Sequence, residues 1–125
     1  MDAAEYQANT VLTEMYGNSI HEFTQHAMII HLWEALRIQY VVLGLAGEAG
    51  EISNKVKKEI RDNPRSPFGT EFKQAMTKEI GDCMWYISQL CNELGLDLGA
   101  IMAFNLEKLT DRKERGTITG SGDDR

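Results

Sequence analysis

Asp62-Asn63-Pro64-Arg65-Ser66-Pro67-Phe68-Gly69-Thr70 is the stretch on which the reading of the chain turns. Both prolines of the sequence fall in it. Each steers the residue before it out of the helical region, and Asp, Asn, Ser and Gly supply turn chemistry around them. The stretch reads as a loop. Before it, Leu45, Ala49, Ile52, Val56 and Ile60 recur at helical spacing, and after it Phe72, Met76, Ile80, Cys83, Ile87, Leu90 and Leu94 do the same. The loop therefore joins two amphipathic helices.

Further along, Gly95 stands where a glycine would end the second of these helices, and Asp97 can cap the start of the next. That next helix carries Leu98, Met102, Leu106 and Leu109 on one face. Residues 116–125 have no period and read as a flexible tail. Towards the N-terminus, residues 2–15 can form a first helix, and Tyr16-Gly17-Asn18-Ser19 reads as a turn. Residues 21–39 contain helical material that runs into the helix of Glu48 without a clean break. The expected fold is all-α, an antiparallel bundle of four main helices near 2–15, 32–62, 71–94 and 97–115, forming one domain over 1–115. Gly44, Gly47 and Gly50 fall inside the second helix. Each should cost about 1 kcal/mol relative to Ala, so another backbone or a ligand is expected to come close there.

The composition agrees with one soluble domain: 125 residues, 42% hydrophobic and 26% charged. A domain of this size buries only about two-thirds of its unfolded surface, so surplus apolar stripes are expected to be covered by self-association. Thirteen Lys and Arg against 19 Asp and Glu give a net charge of -6. That balance disfavours sequence-independent nucleic-acid binding, which needs clustered cations, and it permits a cation site. No leader pattern and no membrane-spanning run stands out, which makes the expected location cytoplasmic. Cys83 and Cys91, roughly 12 Å apart on one helix, are too distant for an intrachain disulfide and read as small buried hydrophobes. His21, His26 and His31, spaced by five, share no helix face.

On a helical wheel with Glu48 at zero, Leu45, Ala49, Ile52 and Val56 fall at about 40° to 100°, while Glu51, Lys55 and Lys58 fall at about 280° to 340°. With Glu79 at zero, Met76, Ile80, Cys83 and Ile87 take the same apolar arc, with Asp82 at about 300° and Tyr86 at about 340°. With Asn105 at zero, Met102, Leu106 and Leu109 repeat the arc, and Lys108, Arg112 and Arg115 line its polar flank. Three helices thus carry polar chemistry at the edge of their apolar faces. Glu48-x-x-Glu51 and Glu79-x-x-Asp82 each place two carboxylates side by side. Four such charges at the rim of a core must be dispersed in solvent, protonated or neutralised by a cation. Hard oxygen ligands favour Mg²⁺, Mn²⁺ or Ca²⁺ over zinc.

The strings Gly44-Leu45-Ala46-Gly47-Glu48-Ala49-Gly50-Glu51, Glu79-Ile80-Gly81-Asp82 with Met84-Trp85-Tyr86 following, and Asn105-x-x-Lys108-Leu109 resemble those of the MazG-type, all-α nucleoside triphosphate pyrophosphohydrolases. The resemblance covers roughly residues 40 to 115, and the ending from Arg112 is similar to that of small, single-domain bacterial and phage members. Residues 21–39 match nothing in it and read as an insertion. The resemblance implies cleavage of a (deoxy)nucleoside triphosphate between the α and β phosphates, giving the monophosphate and pyrophosphate, for nucleotide pool control or sanitation. It implies Mg²⁺, with Mn²⁺ as a substitute, held by Glu48, Glu51, Glu79 and Asp82, and Glu51 is the candidate to orient or deprotonate the attacking water. Lys55, Asn105, Lys108 and Arg112 become candidate phosphate ligands, and Trp85 and Tyr86 candidate surfaces for the base. A homodimer or homotetramer is implied, with no nucleic-acid or membrane partner. The competing readings are a non-catalytic helical assembly module that binds nucleotide or metal, and a dUTP- or dCTP-directed relative.

Overall fold

A computed structural model describes residues 20–22 and 29–122. Three long helices run through the described residues: α1, Ile29–Asp62; α2, Thr70–Leu94; and α3, Leu98–Glu114. No strand occurs among them. The helix expected over 2–15 lies outside the described residues, as do His26 and the last three residues of the tail. None of the described helices is long and apolar enough to cross a membrane.

α1 is one uninterrupted helix of 34 residues, so the segment from Ile29 to Gln39 and the helix of Glu48 are continuous. The chain divides into two compact units, Met1–Leu36 and Arg37–Arg125. In the first, His31 Nδ1 lies 3.4 Å from Glu34 Oε2, both side chains exposed. The second holds the rest of α1 with α2 and α3.

The turn chemistry is realised residue by residue. Gly95 takes the left-handed conformation, φ 65°, and its N–H donates to the carbonyl of Asn92. Only glycine adopts that backbone without strain. Asp97 caps α3, its Oδ1 accepting the Ala100 N–H at 2.7 Å. Between α1 and α2 the Glu59 carboxylate organises the proline loop. It accepts Asn63 Nδ2 at 3.0 Å and the Phe68 N–H at 3.1 Å. Phe68 itself sits at φ 66°, a conformation unfavourable for a side chain of its size, and its ring packs edge-on to Phe72 with centroids 5.1 Å apart.

α1 and α2 run antiparallel in a fixed register. Arg37 faces Glu93 through Nε at 2.8 Å, Gly44 faces the Tyr86 ring, and Glu48 faces Asp82 and Glu79. Seven steps forward on α1, from 37 to 44, match seven steps back on α2, from 93 to 86. Four further steps, 44 to 48, match 86 to 82. These are the intervals at which a helix returns to the same face.

Val41 on α1 and Cys91 on α2 are the buried apolar side chains among the described residues. Both cysteines are free, Cys83 being half-buried. Much of the apolar arc expected to form a core is exposed: Ile60, Ile80, Met102, Leu106 and Leu109 all lie open. The periodicity identified the helices, but among the described residues the packing leaves much of their apolar arc open.

Candidate active site

The register brings carboxylates from two helices to one level. Oxygens of Glu48 on α1 and of Glu79 and Asp82 on α2 all lie within 4.8 Å of one another. Glu48 and Glu79 are half-buried and Asp82 is exposed. The Glu48 carboxyl is pushed above its ordinary pKa, first by loss of solvent, then by the charges of Asp82, Glu79 and Glu51, and by a hydrogen bond with Glu79. Protonation relieves such crowding at low pH. At neutral pH a divalent cation relieves it better, because three hard anionic oxygens meet its preference in both charge and softness. The residues present therefore fit a metal of the Mg²⁺ or Mn²⁺ type.

Glu51 is exposed and stands outside this trio, although its charge acts on Glu48. Lys55, one turn further along α1, reaches across to α2, its Nζ 3.3 Å from Glu79 Oε1. Beside this pair opens a cleft of about 300 Å³ between the C-terminal half of α1 and the start of α2. Glu51, Asn54, Lys55 and Lys58 line one wall, with Glu71 and Phe72 on the other. Lys58, Asn54 and Phe72 were not among the residues expected at the site. Lys58 could have been found, since it shares the wheel arc of Glu51 and Lys55; Phe72 reads from sequence only as the first apolar residue of its helix.

The aromatic pair is split in role by its surroundings. Trp85 is 54% exposed and meets Tyr86 edge-on, with centroids 4.9 Å apart and planes at 85°. Tyr86 is half-buried, its ring laid against the α1 backbone at Gly44. The close neighbour at Gly44 is thus a side chain, not the backbone or ligand expected for the three glycines, and a Cβ at Gly47 or Gly50 would meet nothing within 4 Å.

α3 contributes differently from the expected cationic stripe. Asn105 is exposed and Lys108 half-buried, but the charges acting on Glu48 come from α1 and α2, and the cleft is likewise lined from those helices and the loop between them. Arg112 is 4% exposed and engaged within the fold, an interior position for a residue expected to meet phosphate. Arg115 pairs with Asp111 one turn away, Nη2 to Oδ2 at 2.7 Å.

The MazG nucleotide pyrophosphohydrolase domain model matches residues 37–117. This chain belongs to the MazG family. The match begins at Arg37, where the second compact unit also begins, and spans both acidic pairs. The chain is also similar to the "Gene 37 protein" of Mycobacterium phage L5, 49% identical over 88 residues, which is 70% of this chain and 76% of the phage protein. No solved structure matches it. MazG proteins are generally dependent on divalent metals, in keeping with an all-oxygen trio in this member.

Proposed function

We propose that this protein hydrolyses nucleoside or deoxynucleoside triphosphates between the α and β phosphates, releasing the monophosphate and pyrophosphate, in control or sanitation of the nucleotide pool. The observation that carries the reading is the convergence of Glu48, Glu79 and Asp82 from two helices, next to a cleft that holds Lys55 and Lys58. Glu48, Glu79 and Asp82 would hold Mg²⁺, with Mn²⁺ able to replace it. When bound, such an ion neutralises triphosphate charge and makes water more acidic. Glu51, exposed at the mouth of the cleft, takes the proton of the water whose oxygen attacks the α phosphorus. The bond from that phosphorus to the bridging oxygen breaks, and pyrophosphate leaves. Lys55 and Lys58 hold phosphate oxygens, and Trp85 offers its open face to the base, supported edge-on by Tyr86. Asn105 and Lys108 would serve the substrate from α3, where an assembled site brings that helix to it.

Assembly belongs to the same proposal. Leu43, Met84, Met102, Phe104 and Leu106 are each about 60% exposed, apolar side chains that a second copy of the chain can bury. A homodimer or homotetramer would cover them, and sedimentation would read the state directly. The activity is tested by incubating the protein with each common NTP and dNTP, and with dUTP, in Mg²⁺ and in EDTA, and separating products by ion exchange. Monophosphate with pyrophosphate, abolished by EDTA, is expected. Orthophosphate release would move the cleavage to the terminal phosphate, and no turnover would leave a nucleotide- or metal-binding assembly module.

A further inference from the structure

Among the three central glycines of α1, one alone is occupied by another residue. A Cβ built on Gly44 would fall 2.8 Å from Tyr86 Cδ1 and closer still to Cε1 and Cζ. Real Cβ atoms do not approach so near, so the ring occupies the volume that any other residue would fill. Gly44 lies one turn before Glu48, and Tyr86 lies one turn after Asp82. With a rise of about 1.5 Å per residue, the ring contact and the carboxylate trio are therefore about 6 Å apart along the seam. On the opposite side of the contact, one turn toward Arg37, Val41 of α1 is buried. The ring thus stands on the seam between the Arg37–Glu93 pair and the carboxylate trio.

We infer that Gly44 is a positioning residue for the metal site. By having no side chain it lets the Tyr86 ring rest on the α1 backbone, and that ring-on-backbone contact fixes the helix separation at which Glu48 meets Glu79 and Asp82. A methyl group at 44 must push the ring aside or spread the helices. Either change moves carboxylates on opposite helices relative to each other, and metal sites lose affinity steeply when their supports shift. Tyr86 also meets Trp85 edge-on, so a displaced ring would disturb that aromatic pair as well. This inference rests on the proposed metal role of the trio.

The test is Mn²⁺ affinity, measured by electron paramagnetic resonance or calorimetry without nucleotide, in the wild type and in the Gly44→Ala, Gly47→Ala, Gly44→Ala/Tyr86→Leu and Glu48→Gln variants, with circular dichroism on each. Gly47→Ala makes the same change of backbone propensity where the added methyl meets open space, and should bind as the wild type does. Gly44→Ala should weaken Mn²⁺ by about 10-fold or more, and trimming the ring in the double variant should restore most of the loss. If Gly44→Ala does not fold, a folded double variant that binds Mn²⁺ carries the same conclusion. Wild-type binding that is lost in Glu48→Gln but unchanged in Gly44→Ala overturns the positioning role and leaves the metal reading intact. So does a loss in Gly44→Ala that the double variant fails to recover. No Mn²⁺ binding by the wild type overturns both.

Discussion

Lys55 Nζ lies 3.3 Å from Glu79 Oε1, joining α1 to α2 at the edge of the carboxylate trio. The lysine side chain is one-third exposed and the glutamate 15% exposed, so the pair is neither a surface ornament nor a sealed ion pair. Replacing Lys55 with Gln should lower kcat/KM for the preferred triphosphate by about 10²-fold, the usual scale for losing one fixed charge at a phosphoryl centre. Stability in EDTA should fall by no more than about 1 kcal/mol. Steady-state kinetics and urea unfolding on the same preparation separate the two effects. Equal losses in Lys55→Gln and a surface Lys78→Gln control would deny Lys55 a place at the substrate.

The pH dependence of stability follows from Glu48. Its pKa is raised in the folded chain by loss of solvent and by Asp82, Glu79 and Glu51, so the folded state binds a proton more tightly than the unfolded one. Stability must then fall as pH rises from the ordinary carboxylate value through the raised one, and stay low above it. In EDTA, Glu48→Gln should remove this fall. The variant should match the wild type in melting temperature near pH 4 and exceed it near pH 7. Excess Mg²⁺ should close the gap at pH 7 by stabilising the wild type alone. A wild-type melting temperature that rises steadily from pH 4 to 7 in EDTA, in parallel with the variant, would contradict the assignment.

In the proposed reaction, Glu51 is the residue that would separate catalysis from metal holding. It stands outside the trio and is exposed at the cleft. Glu51→Gln should therefore lower kcat by about 10²-fold or more, the contribution typical of a positioned base, while Mn²⁺ affinity changes only a few-fold. Asp82→Ala should abolish both binding and turnover. If Glu51→Gln weakens Mn²⁺ as severely as Asp82→Ala does, Glu51 belongs among the ligands.

The turn between α2 and α3 offers a test of the fold that does not involve the site. Gly95→Ala places a side chain at φ 65° and should destabilise the chain by about 1 kcal/mol. Asp97→Ala removes the acceptor of the Ala100 N–H and should cost about 1 kcal/mol. Both should shift the urea midpoint without changing its slope.

How far the sequence could be read depended on the range of the interaction. Gly95, Asp97 and the Pro64–Pro67 loop act on their own neighbours, and the helix ends they imply at 62, 71, 94 and 97 agree with the structure within a residue. Glu48, Glu79 and Asp82 were legible as carboxylates at the rim of apolar faces, because that is a property of one helix at a time. Which of four acids converge is a property of two helices and their register, and there Glu51 parted from the trio. The same limit applies to α3. A wheel gives Lys108 and Arg112 one flank, yet only the angle at which α3 packs decides that Lys108 is half-buried and Arg112 enclosed.

The matched steps of seven and four along α1 and α2 make the length of each helix part of its chemistry. Deleting one residue between Gly44 and Glu48 would turn the carboxylate by about 100° around the helix and draw it back by about 1.5 Å, removing it from Asp82 while every side chain remained in the sequence. The segment from Asn63 to Gly69 carries no such register, and a residue added there would leave every α1–α2 pairing in place. Relatives of this protein can therefore vary in length across that loop, but within α1 from Arg37 to Glu48 and within α2 from Asp82 to Glu93 their count of residues must stay the same.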